Sequence, residues 1–464
     1  MPHAGRPNVL LITTDQQRYD TLGLSGVAQA RTPHLDALAG RGAFFRRAYA
    51  QNPVCIPSRA CLMTGRYIHQ HGVDYMEQVI DDTPGLPAWE LTIQERLQHA
   101  GYRTAAFGKI HMMPERGFHE QRVTGGQGAR WTKSAGLPIG LGPLGRDYAA
   151  WLEQRHPGAY EAIYEQRRTP DYTRWETCLP FPLPLEEHVD CWTAQNTIEF
   201  IRRDHGRPFF LWCGFCGPHP PCNPPAPYDT MYPVDEVQLP PNYAVREDGS
   251  PRPTTPEQDA VARRFCACYW GLVTLIDDQI ARIVEALRER GLLDNTLILF
   301  VSDHGEMMFE FGRTGKSRFY ECVTRMPLIV VPPGGAESAR TVDGLVETFD
   351  VAPTVLDYCG AEVPEDMSAA SLRPLIEGRG QGKEVVLSEF SDADRCTRGT
   401  CVRTDRYKYA FWGLGGEEQF FDLQEDPLER RNAIDDPACR EEIERHRLLM
   451  LDRLTRSGMR PLRT

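Results

Sequence analysis

Lysine is scarce in this chain: of 52 basic residues only five are lysine (Lys109, Lys133, Lys316, Lys383 and Lys408), leaving 47 arginines. A coding bias that replaces lysine wherever either cation serves would keep it where a compact, tunable ammonium on a flexible stem is needed, which singles out Lys109 and Lys316. Long apolar runs are absent too. The longest, FFLWCGFCG at 209–217 and LILFV at 297–301, fall well short of the roughly 18 residues a membrane span needs, so no transmembrane helix is expected. The opening MPHAGRPNVLLITTD has no basic stretch followed by an apolar one, because its apolar run ends in Thr13, Thr14 and Asp15; a cytoplasmic protein is the expectation. Positive charge is not in excess. With 52 basic against 64 acidic residues the net charge is −12, which argues against a nucleic-acid binder held by phosphate contacts and makes any attraction for an anion local. Repeats and low-complexity segments are missing, and 41% hydrophobic with 25% charged residues excludes a disordered, collagen-like or coiled-coil chain.

What is present reads as an α/β fold. The segment NVLLITTDQQ has the apolar, β-rich character of a buried strand that ends in an acidic residue, placing Asp15 at a strand tip. The same grammar recurs in NTLILFVSDHGE, where Asp303, His304 and Gly305 follow the apolar run. Helical patterns alternate with these strands in TPHLDALAGRG, LTIQERLQHAG and a long stretch from Glu257 to Arg290, with Gly291 as its C-cap. That alternation predicts a mainly parallel sheet flanked by helices, and ligands of such sheets gather at the carboxyl ends of strands, where both carboxylates lie. At 464 residues the chain exceeds one ordinary domain, and a division into residues 1–374 and 375–464 is expected. The second part reads as short strands, EVVLSEF, GTCVRTDRYKYAF and EEQFFDL, then an amphipathic helix near 438–455: a small antiparallel α+β domain. Residues 121–190, with clusters such as TGGQGARWTKSAGLPIGLGPLG, show neither period and predict long irregular surface loops acting as lid or substrate wall.

Fourteen cysteines without a regular framework read as reduced, buried thiols, and Cys213-Gly214-Phe215-Cys216, despite its CxxC spacing, reads as a core strand because no second CxxC accompanies it. The Gly-rich 124–128 lacks both the strand-helix context and the Lys-Ser/Thr ending of a phosphate-binding loop. The most specific string is NPVCIPSRACLMTGR at 52–66. Cys55-Ile56-Pro57-Ser58-Arg59 followed by Thr64-Gly65-Arg66 resembles the signature of type I sulfatases, of the alkaline phosphatase superfamily, in which the cysteine is oxidised after synthesis to formylglycine (3-oxoalanine). The order of motifs agrees from Asn8 to about Asp426, including RTDRYKYAF and FFDLQEDPLERRN near the end.

The resemblance implies an alkaline-phosphatase-like fold and one divalent cation held by Asp15, Asp303 and His304, with residue 55 beside it. Oxygen ligands favour calcium first, with magnesium and manganese as the other candidates, since His304 admits the latter. Gln16 stands where many members carry a second aspartate; it coordinates through its amide oxygen or orients a neighbour, and the lost charge makes the pocket less repulsive to a dianion. An aldehyde at position 55 would hydrate to a geminal diol whose metal-polarised hydroxyl attacks sulfur, passing through a covalent sulfo-enzyme intermediate. In that scheme Lys109, Lys316 and Arg59 stabilise the equatorial oxygens, His219 with Lys316 protonates the leaving alcohol, and His111 takes the second diol proton. If a helix begins at Cys55, Arg59 shares its face. His69 and His71 either line the pocket or belong to a surface loop. The substrate implied is a sulfate monoester of a sugar, aryl or alkyl alcohol, and the implied partner is a formylglycine-generating maturation enzyme; no nucleic acid or membrane is expected, and the oligomeric state is left open. The nearest alternative is a phosphonate monoester or phosphodiester hydrolase using the same machinery, against which the Lys109-x-His111 pair argues. A non-enzyme that binds an anion or glycan through the metal, with Cys55 unconverted, is the alternative of another class.

Overall fold

The computed structural model describes residues 5–74, 85–112, 114–124, 146–336, 339–392, 397–413 and 415–458. Residues 125–128 of the Gly-rich stretch, and the cluster at 124–145 apart from Thr124, lie outside them.

Eight strands form the central sheet: β1 (Asn8–Asp15), β2 (Ala43–Phe45), β3 (Arg103–Gly108), β4 (Glu120–Val123), β5 (Phe209–Pro218), β6 (Thr296–Ser302), β7 (Leu328–Val331) and β8 (Arg340–Val342). Their order is β8-β2-β7-β6-β1-β5-β3-β4. Pairing is parallel except where β7 lies antiparallel between β2 and β6. β1 is buried along its whole length, as are β5 and β6 beside it, so these strands read as continuous apolar runs. Alternate residues of β1 serve opposite cores: Val9 and Leu11 face one, Leu10 and Ile12 the other. The Cys213–Cys216 segment lies in β5, fully buried, as a core strand.

Helices cover both faces. α1 (Pro33–Ala39) and α8 (Pro256–Glu289) pack on one core, and α2 (Cys55–Thr64) with α3 (Ile93–His99) on the other. α8 opens on a capping box in which Thr255 Oγ1 accepts from Gln258 N, and it ends before Gly291 in the left-handed region (φ 65°).

The expectation of irregular loops across 121–190 is corrected. α4 (Arg146–Arg155), α5 (Ala159–Arg168), α6 (Pro170–Arg174) and the start of α7 (Val189–Arg202) occupy much of this span. Tyr148 and Leu152 lie four apart, as do Ala159 and Ile163, and both pairs close on Trp192 and Cys216 as a separate small core. The Gly-rich run just ahead obscured this short helical period.

A four-stranded antiparallel sheet follows: β9 (Val386–Asp392), β10 (Thr397–Arg403), β11 (Tyr407–Trp412) and β12 (Glu417–Asp422), paired in chain order and covered by α9 (Arg440–Gly458). GTCVRTDRYKYAF, read as one strand, is a hairpin. Its turn is closed by Thr404 N donating to Tyr407 O (2.9 Å), with the Thr404 hydroxyl accepting from Tyr407 N (3.3 Å), a side-chain capped turn that a strand pattern hides. The buried Lys408 ammonium of β11 bonds Glu429 (2.7 Å), Glu321 (2.8 Å) and the Phe319 carbonyl (2.8 Å), which ties this sheet to the segment just beyond Lys316. Among the described residues no helix is long and apolar enough to cross a membrane.

Candidate active site

Strand ends and one helix start bring the predicted residues together. Asp15 is the last residue of β1, and Asp303 follows β6 directly alongside it; Asp303 N donates to Thr14 O at 3.4 Å. Lys109 and His111 leave the end of β3, where two glycines permit a close approach. A Cβ on Gly108 (φ 89°) would sit 2.1 Å from Gly214 O, and one on Gly214 would sit 2.1 Å from Lys109 O, so Lys109 N can donate to Gly214 O at 2.6 Å. His219 lies one residue past β5.

Cys55 is the first residue of α2, after Val54 in extended backbone (φ −138°, ψ 144°). Pro57 falls in the first turn, where a missing N–H costs no intrahelical bond, and Gly65 closes the helix in the left-handed region (φ 68°) with its N–H on Cys61 O (2.8 Å). The positive end of the helix dipole therefore faces residue 55. Every residue of this helix is buried, and Cys55 itself is 0% exposed, packed with Val54, Phe319, Phe390 and Trp412.

The ligand-type atoms of Asp15, Cys55 and His111 lie within 4.8 Å of one another, and so do those of Asp15, Asp303 and His304. Around them, Lys109 Nζ stands 2.6 Å from Asp15 Oδ2, and Lys316 Nζ is 3.6 Å from Cys55 Sγ and 3.0 Å from His304 Nε2. His219 Nε2 is 4.0 Å from Asp15 Oδ1. All ten predicted residues share one region, whereas His69 and His71 do not belong to it. Arg59 is placed behind the carboxylates: Nε donates to Asp303 Oδ2 (2.8 Å), one terminal nitrogen to Asp15 Oδ2 (3.3 Å) and the other to Lys109 O (2.7 Å). It is fully buried, so its charge acts by orienting and compensating Asp15 and Asp303.

Electrostatics follow from burial set against neighbouring charge. Burial alone would push the Asp15 carboxyl up, but the cations around it, Lys109 first and then Lys316 and Arg59, hold it well below the usual carboxylate range. Burial would likewise push the Cys55 thiol up; the cations beside it, Lys316 first and then Lys109, outweigh it and bring the thiol below its ordinary value. His111 and His219 go the other way, held well below the ordinary histidine range by burial first and Lys109 second, so both imidazoles are neutral.

The donor set fits a divalent cation. Asp15 Oδ1 and Gln16 Oε1 are buried and have no hydrogen-bond partner among the described residues. His304 Nδ1 donates to Gly305 O (3.0 Å), which leaves Nε2 as the acceptor atom, 3.8 Å from Asp15 Oδ1 and 3.7 Å from Asp303 Oδ1. Gln16 (φ 67°) and His111 (φ 47°) are non-glycine residues in the left-handed region, strain that costs about 1–2 kcal/mol each and that clusters at functional sites.

Two features escaped the sequence reading. Glu306, 0% exposed, accepts from the Gln16 side-chain amide and from the backbone N–H groups of Met308 (3.0 Å) and Gly315. A wall of Phe319, Phe390 and Trp412 lies against Cys55, with Phe319 and Trp412 ring centroids 4.8 Å apart. DHGE was a visible motif, but only its first three residues stood out; a buried glutamate two residues past a histidine carries no local signal. The aromatic wall assembles from three segments far apart in the chain.

His69 and His71 sit on a short helix, Ile68–His71. His69 pairs with Glu389 (2.8 Å) and Ser457 (2.9 Å). His71 is buried; its Nδ1 accepts from Val73 N (3.1 Å) and Nε2 meets Cys61 Sγ (3.4 Å), an arrangement only the neutral ring can make. Burial, then His69 and Arg66, push its pKa down to about 3. Below pH 6.5 the unfolded chain therefore takes a proton that the folded chain refuses, and His71 is expected to lower stability by about 1.4 kcal/mol per pH unit from roughly pH 6.5 down to 3. Urea unfolding at pH 7 and pH 5 tests this: the loss should be smaller in His71→Gln than in the parent by up to about 2 kcal/mol, and equal losses would contradict it.

Comparison with known proteins gives the family. The family model described as Sulfatase matches residues 7–361, and one described as N-sulphoglucosamine sulphohydrolase, C-terminal, matches 309–456. The chain belongs to the sulfatase family, within the alkaline phosphatase superfamily. It is 32% identical to an arylsulfatase of Clostridium perfringens, over 97% of this chain and 94% of that one. Among solved structures, a phosphonate monoester hydrolase from Silicibacter pomeroyi is similar with TM-score 0.80 and 25% identity, covering 97% of this chain and 96% of that one. A 2-O GAG sulfatase is similar with TM-score 0.76 and 26% identity, covering 97% and 92%.

Proposed function

We propose that this protein is a sulfuric ester hydrolase that cleaves a sulfate monoester of a saccharide, aryl or alkyl alcohol, using formylglycine made from Cys55 and one divalent cation, calcium first among candidates. The observation that carries this reading is the setting of Cys55, at a helix N-terminus, 3.6 Å from Lys316 Nζ and within 4.8 Å of Asp15 and His111. Asp15, Gln16, Asp303 and His304 would hold the cation, with residue 55 beside it. When bound, the cation supplies Lewis-acid polarisation, and the hydrated aldehyde supplies the nucleophilic hydroxyl that a thiol lacks.

The chain's own residues do the rest. Lys109 and Lys316 place two ammonium groups around the position a sulfate oxygen takes beside residue 55, where low dielectric strengthens their hold on developing charge. Neutral His111 would take the second hydroxyl proton of residue 55 as sulfate is expelled. His219 is also neutral, and a bound sulfate anion adds the negative charge that lets it take up a proton from solvent and then deliver that proton to the leaving alcohol. Arg59 keeps the two aspartates fixed in place. Because Cys55 is fully buried, the maturation enzyme would act before the chain closes over α2.

The structural likeness to a phosphonate monoester hydrolase keeps that reaction as the second reading. Both substrates are monoanions, so charge alone does not separate them; the Lys109–His111 pair, both members of which the structure brings to the site, favours sulfate. Comparing kcat/KM for an aryl sulfate and an aryl phosphodiester tests the choice. Preference for the sulfate is expected, and a large preference for the phosphodiester would overturn it.

A further inference from the structure

Gln16 is held in an unusual way. Its backbone is in the left-handed region (φ 67°), its N–H donates to Asp303 Oδ1 (3.0 Å) and its carbonyl accepts from the Tyr269 hydroxyl (2.5 Å). With the main chain pinned on both sides, the remaining freedom is in the side-chain amide. That amide presents NH2 on one side and an oxygen on the other, and which of them meets a cation decides between attraction and repulsion. Here Nε2 is given to Glu306 Oε2, and Oε1 is buried without a hydrogen-bond partner among the described residues. The other carboxylate oxygen, Glu306 Oε1, accepts from Met308 N (3.0 Å) and from Gly315 N, the residue before Lys316.

We propose that Glu306 is a positioning residue for the metal site: its Oε2 accepts from the Gln16 side-chain NH2, so that oxygen rather than NH2 faces the cation, and the same group anchors the loop that delivers Lys316. This rests on the metal assignment above but reaches a residue that coordinates nothing itself. A glutamine at 306 could donate as well as accept, so it would let the Gln16 amide turn over.

The test is metal affinity, measured by titrating the chelator-treated protein with Ca2+ and with Mn2+ against a chromophoric chelator. Glu306→Gln is expected to weaken binding by about 10–100-fold, the range for groups that orient a metal ligand. Gln16→Ala should weaken it similarly. The double variant should bind no more weakly than Gln16→Ala alone, because the orienting group then has nothing to orient. If Glu306 served only as negative charge or fold support, its loss would add the same weakening with or without Gln16, and that result overturns the proposal; so does unchanged affinity in Glu306→Gln. Glu306→Asp, which keeps a carboxylate for Met308 and Gly315 but falls short of the Gln16 amide, should give the same cancellation with less disturbance of the loop. A parent protein that binds neither ion would instead remove the metal assignment itself, a failure distinct from that of the orienting role.

Discussion

Replacing Cys55 by serine is expected to leave a folded chain with at least about 10³-fold less turnover of an aryl sulfate, roughly 4 kcal/mol of lost transition-state stabilisation, in a host whose maturation system converts only cysteine. The substitution changes sulfur to oxygen in a fully buried position between Val54, Phe319, Phe390 and Trp412, so shape is nearly kept. What is lost is the route to an aldehyde. A serine hydroxyl at the start of α2 would still lie beside Lys316, but its single oxygen has no second proton for His111 to remove. Steady-state assays with unfolding curves for both proteins check this; undiminished turnover in the serine variant would show that residue 55 is not the nucleophile's source.

Asp303→Asn is expected to abolish turnover and metal uptake together, while unfolding stays cooperative. Asp303 serves on both sides. Its Oδ1 accepts from Gln16 N (3.0 Å) and His304 N (2.8 Å), and its Oδ2 from Arg59 Nε (2.8 Å). Asparagine keeps a carbonyl oxygen for one set but withdraws the charge that a hard cation requires. Asp303→Ala should lose activity equally and be less stable by about 3–5 kcal/mol, because the buried Arg59 would then keep Asp15 as its one carboxylate partner among the described residues. Metal stoichiometry, turnover and denaturant midpoints measured on the three proteins separate these effects. Unchanged turnover in Asp303→Asn would sink the metal assignment.

Much of the site was legible before the structure, and for a physical reason. Parallel strands buried on both faces read as unbroken apolar runs, so their ends are marked by the first charged residue, and both Asp15 and Asp303 stand at such ends. A helix beginning at Cys55 entered the sequence reading only as a condition, although Pro57 in its first turn and Gly65 after its last are local signals of α2. Other features depend on contacts no local pattern records. Glu306 meets Gln16 across 290 positions, and Arg59 meets Asp303 across 244, so the orienting role of each emerges only when the sheet brings the strand tips together. The helices between 146 and 174 are a different case: the spacing of Tyr148 with Leu152 and Ala159 with Ile163 was there to read, but each helix is short and the Gly-rich run before them set the expectation of a loop. In the C-terminal sheet the strands were visible while the Thr404–Tyr407 turn, built on a side-chain hydroxyl, was not.

Peptide mass spectrometry across residue 55, on protein produced with a formylglycine-generating system, tests the central claim most directly. The account predicts that the thiol of Cys55 is replaced by an aldehyde or its hydrate, and that the converted fraction tracks the specific activity of the preparation. An intact thiol in protein that still hydrolyses sulfate esters, with a control substrate of the maturation system fully converted, would contradict it.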